Sequence, residues 1–161
     1  MEIVKFPHPS LLTPCKPVAV FGPELLTILD SMYETMVKHN GLGLSANQVG
    51  LDMAMFVIGR PEGGKLNIIN PKILAISKKI VDFKEGCLSS PGTFVSTGNR
   101  PEWVQLEFDD PRGFVHRVVF KDIDAIIVSH ECEHLQGKSF LQSKSIPKNI
   151  RTKLCKKWGL K

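Results

Sequence analysis

The 161-residue sequence predicts an α+β fold. Three patterns carry that reading. Residues 24–39 repeat apolar side chains at helical spacing. Residues 103–120 alternate apolar and polar side chains about a central turn, as two antiparallel strands do. Residues 122–136 read as a helix whose first half is apolar nearly all round, which marks a buried helix. Length and composition suit one domain over residues 1–161, with a short basic tail from about residue 145.

The elements follow in order. Residues 7–23 hold Pro7, Pro9, Pro14, Pro17 and Pro23 and should run extended over the surface. From Glu24 to His39, Leu25, Leu29, Met32 and Met36 form one core-facing stripe. Pro23 suits the first turn of that helix and Asn40-Gly41 its stop. Residues 41–48 are a loop of small residues. Met53 to Ile58 reads as a buried strand ended by Gly59 and Pro61. Residues 66–69 and 73–83 are two further strands, separated by Asn70-Pro71. Trp103–Phe108 and Phe114–Phe120 form a hairpin about the turn Asp109-Asp110-Pro111-Arg112-Gly113. Asp122 or Asp124 caps the next helix, which runs to Gln136 and stops at Gly137. Lys148–Trp158 is a short last helix.

Charge is unevenly placed. Residues 135–161 carry eight Lys or Arg and no Asp or Glu, so the tail holds all the excess of a net +5. Such a tail attracts RNA or an acidic surface, or is simply a solvated helix. The cysteines at 15, 87, 132 and 155 show no close pairing, which points to a reducing compartment. No signal peptide, transit peptide or membrane span is visible, so a cytoplasmic protein without membrane contact is expected.

The chemistry centres on His130-Glu131-Cys132-Glu133-His134, an H-E-x-x-H pattern. Residues four apart share a helix face, so both imidazoles can reach one divalent ion with Glu131 beside it as a base. Cys132 points about 200° away from His130 and belongs to helix packing. His8, His39 and His116 read as surface residues. A catalytic site usually has a third protein ligand. No His, Asp or Glu follows His134, so that ligand must come from upstream. An ordinary zinc protease is thereby disfavoured.

Upstream lies Glu85-Gly86-Cys87-Leu88-Ser89. With the loop Gly41-Leu42-Gly43-Leu44-Ser45-Ala46-Asn47-Gln48 and the helix motif, it resembles the three signatures of the peptide deformylases. The resemblance runs from about residue 4 to about 145 and includes Asn70-Pro71 and Arg100-Pro101. It departs at Ser45, more often Ala, and at Glu133, where most members have Asp. Many bacterial members also continue into a longer C-terminal helix.

The resemblance implies a fold of antiparallel strands wrapped around the helix that carries H-E-x-x-H. It implies Cys87, His130 and His134 as metal ligands. The ion would be Fe²⁺, with Zn²⁺, Ni²⁺ or Co²⁺ accepted. Glu131 would take a proton from water and return it to the leaving amine. The Gln48 amide and the Leu88 backbone N–H would face the developing oxyanion. Glu85 and Arg100 would pair and support the Cys87 loop. Gly43 is a substrate-binding candidate. Leu42, Ile126 and Ile127 join it by position, as a pocket for a methionine side chain.

The implied reaction removes the formyl group from N-formylmethionine at the start of new polypeptides and releases formate. The alternatives are a metallopeptidase or other amidase on the same scaffold, or a non-catalytic metal-binding relative. The family's tail can dock on the ribosome, and here Lys148, Arg151, Lys153, Lys156 and Lys157 would make the contacts. A monomer is expected.

Overall fold

The computed structural model describes residues 1–60 and 64–161. The expected stop at Pro61 lies outside them. Helix α1 spans Pro23–Lys38. Strands β1 (Gly43–Ser45), β2 (Met55–Arg60) and β3 (Gly64–Ile76) follow, then the short β4 (Ile80–Val81), β5 (Lys84–Gly86), β6 (Phe94–Ser96) and β7 (Arg100–Pro101). Strands β8 (Trp103–Asp109) and β9 (Val115–Lys121) lead into helix α2 (Asp122–Leu135), and α3 covers Lys148–Lys157. A five-stranded sheet has the order β1-β2-β3-β8-β9, and all its pairs are antiparallel. The pairs β4-β7 and β5-β6 form two small sheets beside it. The α+β expectation is borne out.

Strand β2 shows why the sheet sits where it does. Its apolar run is buried on both faces, so it does not alternate with polar residues. Met55 and Val57 join Leu25, Leu29, Met32 and Met36 of α1 in one core cluster. Phe56 and Ile58 join Val104, Leu106, Phe108, Ala125, Val128 and Cys132 in another. The sheet thus lies between α1 and α2. Ten of the fourteen residues of α2 are buried, as the all-round apolar pattern predicts.

Several boundaries differ from expectation. Gly59 does not end β2; it pairs with Lys65 inside the ladder. A Cβ there would stand 2.7 Å from Met36 Cε, so glycine lets the strand lie against α1. Asn70-Pro71 does not separate two strands either. Asn70 adopts φ 50, donates to Asp109 Oδ2 at 2.9 Å and to Val18 O at 2.9 Å, and the strand continues through an irregularity. The strand expected at 73–83 stops at Ile76, and Ile80–Val81 pairs with β7 instead. The proline-rich segment contains a 3₁₀ turn at Pro9–Leu12 that buries Leu11.

The hairpin β8–β9 forms as expected, with Phe108 opposite His116 and Asp109 opposite Val115, so the turn lies one residue later than the sequence suggests. Its turn is tied by Arg112 N–H to Asp110 Oδ1 at 2.8 Å. Val104, Leu106 and Phe108 of β8 are buried, but in β9 only Phe120 is, because β9 is an edge strand. Neither Asp122 nor Asp124 caps α2. Lys121 occupies the N-cap without a side-chain bond, and Asp122, at φ 53, makes the sharp turn out of β9. The two aspartates still place negative charge in the first turn, where the helix dipole favours it.

Candidate active site

Three segments meet at one face of α2. The helix presents His130, Glu131 and His134, all buried. Cys87 directly follows β5. Gln48 sits in a 3₁₀ turn, Ala46–Val49, that continues from β1. The ligand atoms of Cys87, His130 and His134 lie within 4.8 Å of one another. Cys87 Sγ is 3.1 Å from His134 Nε2. Four-coordinate geometry about one ion needs donor separations of about 3.3–3.6 Å, so the three residues fit a single metal with small adjustment.

The surroundings favour that use. Burial raises the Cys87 thiol, but His134 and His130 beside it prevail and hold it well below the ordinary thiol value. That favours the thiolate, the form that binds metal. Glu85 Oε2 lies 2.7 Å from His130 Nδ1, which leaves Nε2 for an ion. Phe6 stacks on His134 with ring centroids 6.0 Å apart. Asn47 Nδ2 donates to the His134 carbonyl at 2.5 Å.

Arg100 and Glu85 meet as the motif implies. Arg100 Nε and Nη2 each donate to Glu85 at 2.7 Å. Burial acts against the Glu85 carboxylate, yet the bonds from His130 and Arg100 pull its pKa down to about 2. Glu133 adds a second fork, with Arg100 Nη1 and Nη2 each at 2.9 Å from its carboxylate. Glu133 therefore joins α2 to β7 and, through Arg100 and Glu85, to the strand that leads into Cys87, a role its sequence position did not reveal.

Glu131 stands beside this cluster. Its Oε2 is buried and has no hydrogen-bond partner among the described residues. Burial is the main cause that raises its pKa above the ordinary carboxylate value. Gly43 explains how β1 can approach so closely, since a Cβ there would lie 2.5 Å from Glu131 Oε1. Gln48 is held by its oxygen. Ser45 N–H donates to Gln48 Oε1 at 2.9 Å and Ser45 Oγ at 3.0 Å. The amide Nε2 is thereby turned to Ser89 Oγ at 3.2 Å and Cys87 Sγ at 3.4 Å.

A cavity of about 520 Å³ opens on these groups. Leu42, Gly43, Gln48, Leu88, Ile126 and Ile127 all line it, together with Cys87, His130 and Glu131. Phe83, Phe94 and Ile123 line it as well and were not singled out from sequence. Arg100 is not at the cavity and acts only through Glu85 and Glu133. The arrangement can hold a divalent ion, move a proton at Glu131 and donate hydrogen bonds from Gln48.

A family model described as polypeptide deformylase matches residues 1–149. The chain belongs to the polypeptide deformylase family. Peptide deformylase 1B of Arabidopsis thaliana, described as chloroplastic/mitochondrial, is 38% identical over 144 residues. That match covers 87% of this chain but 52% of the plant protein, so the chain spans about half the plant relative's length. Peptide deformylase 1 of Pseudomonas syringae pv. tomato is 35% identical, covering 95% of this chain and 92% of the relative. Among solved structures, the Arabidopsis deformylase 1B superposes with a TM-score of 0.91 at 32% identity, covering 99% of this chain and 88% of that one. The Thermotoga maritima deformylase gives 0.85 at 32% identity, covering 88% and 95%. The deformylase family implied by the three motifs is borne out. Among the described residues no helix is long and apolar enough to cross a membrane.

Proposed function

We propose that this chain is a metal-dependent hydrolase that removes the formyl group from N-formylmethionine at the start of newly made polypeptides, releasing formate. The observation that carries the reading is the unpartnered Glu131 Oε2 beside the Cys87, His130 and His134 donors, at a cavity that Glu131, Cys87 and His130 line. The names of the relatives support the substrate class. A thiolate and two imidazoles suit Fe²⁺, with Zn²⁺, Ni²⁺ or Co²⁺ as substitutes. When bound, such an ion supplies Lewis acidity and an acidified water.

The chain's own residues do the rest. Glu131 Oε2 accepts the proton of the attacking water and returns it to the α-amine as the amide C–N bond breaks. Its raised pKa suits a group that must both take and give a proton near neutral pH. Gln48 Nε2, held by Ser45 through the amide oxygen, donates to the oxygen that gains charge. The Leu88 N–H is its partner donor. Glu85 keeps the His130 ring in one tautomer, and Arg100 holds Glu85. Ile126 and Ile127, with Leu42 at the mouth, take the methionine side chain, whose burial contributes roughly 1.5–3 kcal/mol. A formyl group has only hydrogen on its carbonyl carbon. The narrow gap between Gly43 and Glu131 supports exclusion of bulkier acyl groups.

We further infer a cytoplasmic monomer whose tail meets the ribosome through exposed Lys148, Lys153 and Lys156. Arg151 is engaged within the chain, donating to the Ser143 and Ile146 carbonyls. The decisive experiment is formate release from a formyl-Met peptide by protein purified without oxygen and loaded with Fe²⁺ or Ni²⁺, with Glu131→Ala beside it. Equal release by both proteins, or none from the metal-loaded wild type, would overturn the reading. Binding to ribosomes that is unchanged between low and high salt would count against the tail's role.

A further inference from the structure

The last turn of α3 reaches a wall of the substrate cavity. Trp158 Nε1 donates to Thr93 Oγ1 at 3.0 Å, and Lys157 Nζ donates to the same oxygen at 3.3 Å. A threonine hydroxyl has two lone pairs, and these two donors use both. Thr93 is buried, and its own N–H bonds the Ser90 carbonyl at 3.1 Å. Ser90 N–H in turn bonds the Cys87 carbonyl at 3.0 Å. The neighbours of Thr93 face the other way, for Pro91, Gly92 and Phe94 all line the cavity.

The tail is seated firmly enough to act on this loop. Helix α3 buries none of its own residues. It is fastened instead at its end, where Leu160 is buried with Phe6, Leu11, Phe140 and Leu141. Leu154, Cys155 and Trp158 pack on the same cluster, as does Cys87. Gly159, at φ +63, lies against Pro7, where a Cβ would stand 3.0 Å from the ring. Trp158 is half-buried, and an indole N–H in that setting needs a partner, which Thr93 supplies.

We propose that Trp158 and Lys157 are positioning residues: through Thr93 they fix the Pro91–Phe94 wall and so set how tightly the substrate is held. The tail then has a role at the site that is separate from any ribosome contact. The catalytic groups Glu131 and Gln48 do not touch this wall's anchor, so the effect belongs to binding and not to the chemical step. The kinetic part of this inference rests on the proposed deformylase reading; the structural part does not.

The test compares Thr93→Val, Thr93→Ser and Trp158→Phe in the metal-loaded full chain. Thr93→Val and Trp158→Phe should each raise KM for a formyl-Met peptide by about 3- to 10-fold, the effect of one neutral hydrogen bond. The turnover number and bound metal should not change. Thr93→Ser keeps the hydroxyl and should match the wild type. Adding Trp158→Phe to Thr93→Val should raise KM no further. Amide hydrogen exchange at Thr93 and Phe94 should quicken in Trp158→Phe, a readout that needs no activity. Unchanged KM with unchanged exchange would overturn the proposal, as would a fall in turnover accompanied by metal loss. A wild type that releases no formate, but whose exchange responds to Trp158→Phe, would sink the deformylase reading and leave the clamp standing.

Discussion

Gly43→Ala isolates the placement of Glu131 from the stability of the fold. Gly43 is not among the residues with positive φ, so alanine brings no backbone strain there. What it brings is a collision. The new Cβ would lie 2.5 Å from Glu131 Oε1, 3.0 Å from Glu131 Cδ and 2.9 Å from Ile127 Cγ2. Ordinary contact begins at 3.4 Å, so the carboxylate must retreat by 0.9 Å or β1 must lift away. A misplacement of about 1 Å in a reacting group costs on the order of 10²-fold in rate. Overpacking a core costs about 1–3 kcal/mol, and both the Glu131 carboxylate and the Ile127 side chain must give way. In a chain of this length that lowers Tm by roughly 2–4 °C per kcal/mol. The expected outcome is a turnover number about a hundredfold lower, with metal content kept and Tm only a few degrees lower. Formate release, metal analysis and a thermal melt decide it. A turnover number within about threefold of wild type would refute the argument that this contact places the base.

Three further outcomes are expected. Arg100→Met removes the cation that faces Glu85, whose side chain is 4% exposed, and should destabilise the fold by about 3–5 kcal/mol in urea titration; a loss under about 1 kcal/mol would show that Thr97 and His130 suffice to hold the carboxylate. Gln48→Ala should lower turnover about 10²–10³-fold. Ser45→Ala keeps the backbone donor to Gln48 Oε1 and should cost about 2- to 10-fold; equal losses from the two variants would contradict a purely orienting serine. Removing metal with a chelator should lower Tm, and restoring Ni²⁺ should raise it, by the equivalent of about 2.7 kcal/mol at a hundredfold excess over Kd. His134→Ala should abolish that difference, and a Tm indifferent to metal would argue against a closed three-donor site.

What the sequence disclosed depended on how local the cause was. The buried helix was legible because Ile126, Ile127 and Val128 leave it no polar face. The hairpin was legible because Asp110 and Gly113 build the turn from their own backbone and side-chain bonds. Asn70 misled because asparagine before proline resembles a break. Here, however, Val18 and Asp109 occupy its amide, and β3 passes through. Asp122 misled because a capping residue and a sharp-turn residue share the same chemistry. In the candidate site, the three motifs marked the Cys87, His130 and His134 cluster and the Glu131 beside it. The fork between Arg100 and Glu133, 33 residues apart, followed no local rule. Neither did the bond from Asn47 to the His134 carbonyl, 87 residues away. The aromatic rim at Phe83 and Phe94 was hidden for the same reason. An isolated phenylalanine in a polar stretch gives no sign of which cavity it will border.

Residues 4–6 cross both loops that carry Gln48 and Leu88. Val4 N–H bonds the Gln48 carbonyl at 2.9 Å, Lys5 Nζ the Leu88 carbonyl at 2.7 Å, and Phe6 N–H the Ser89 carbonyl at 3.1 Å. The next residue, Pro7, abuts Gly159. The site is thus stitched along a seam where residues 4–7 meet Gly159. As the chain grows, residues 4–7 lack this neighbour until residue 159 has been added, so the loops around Gln48 and Leu88 are braced only then.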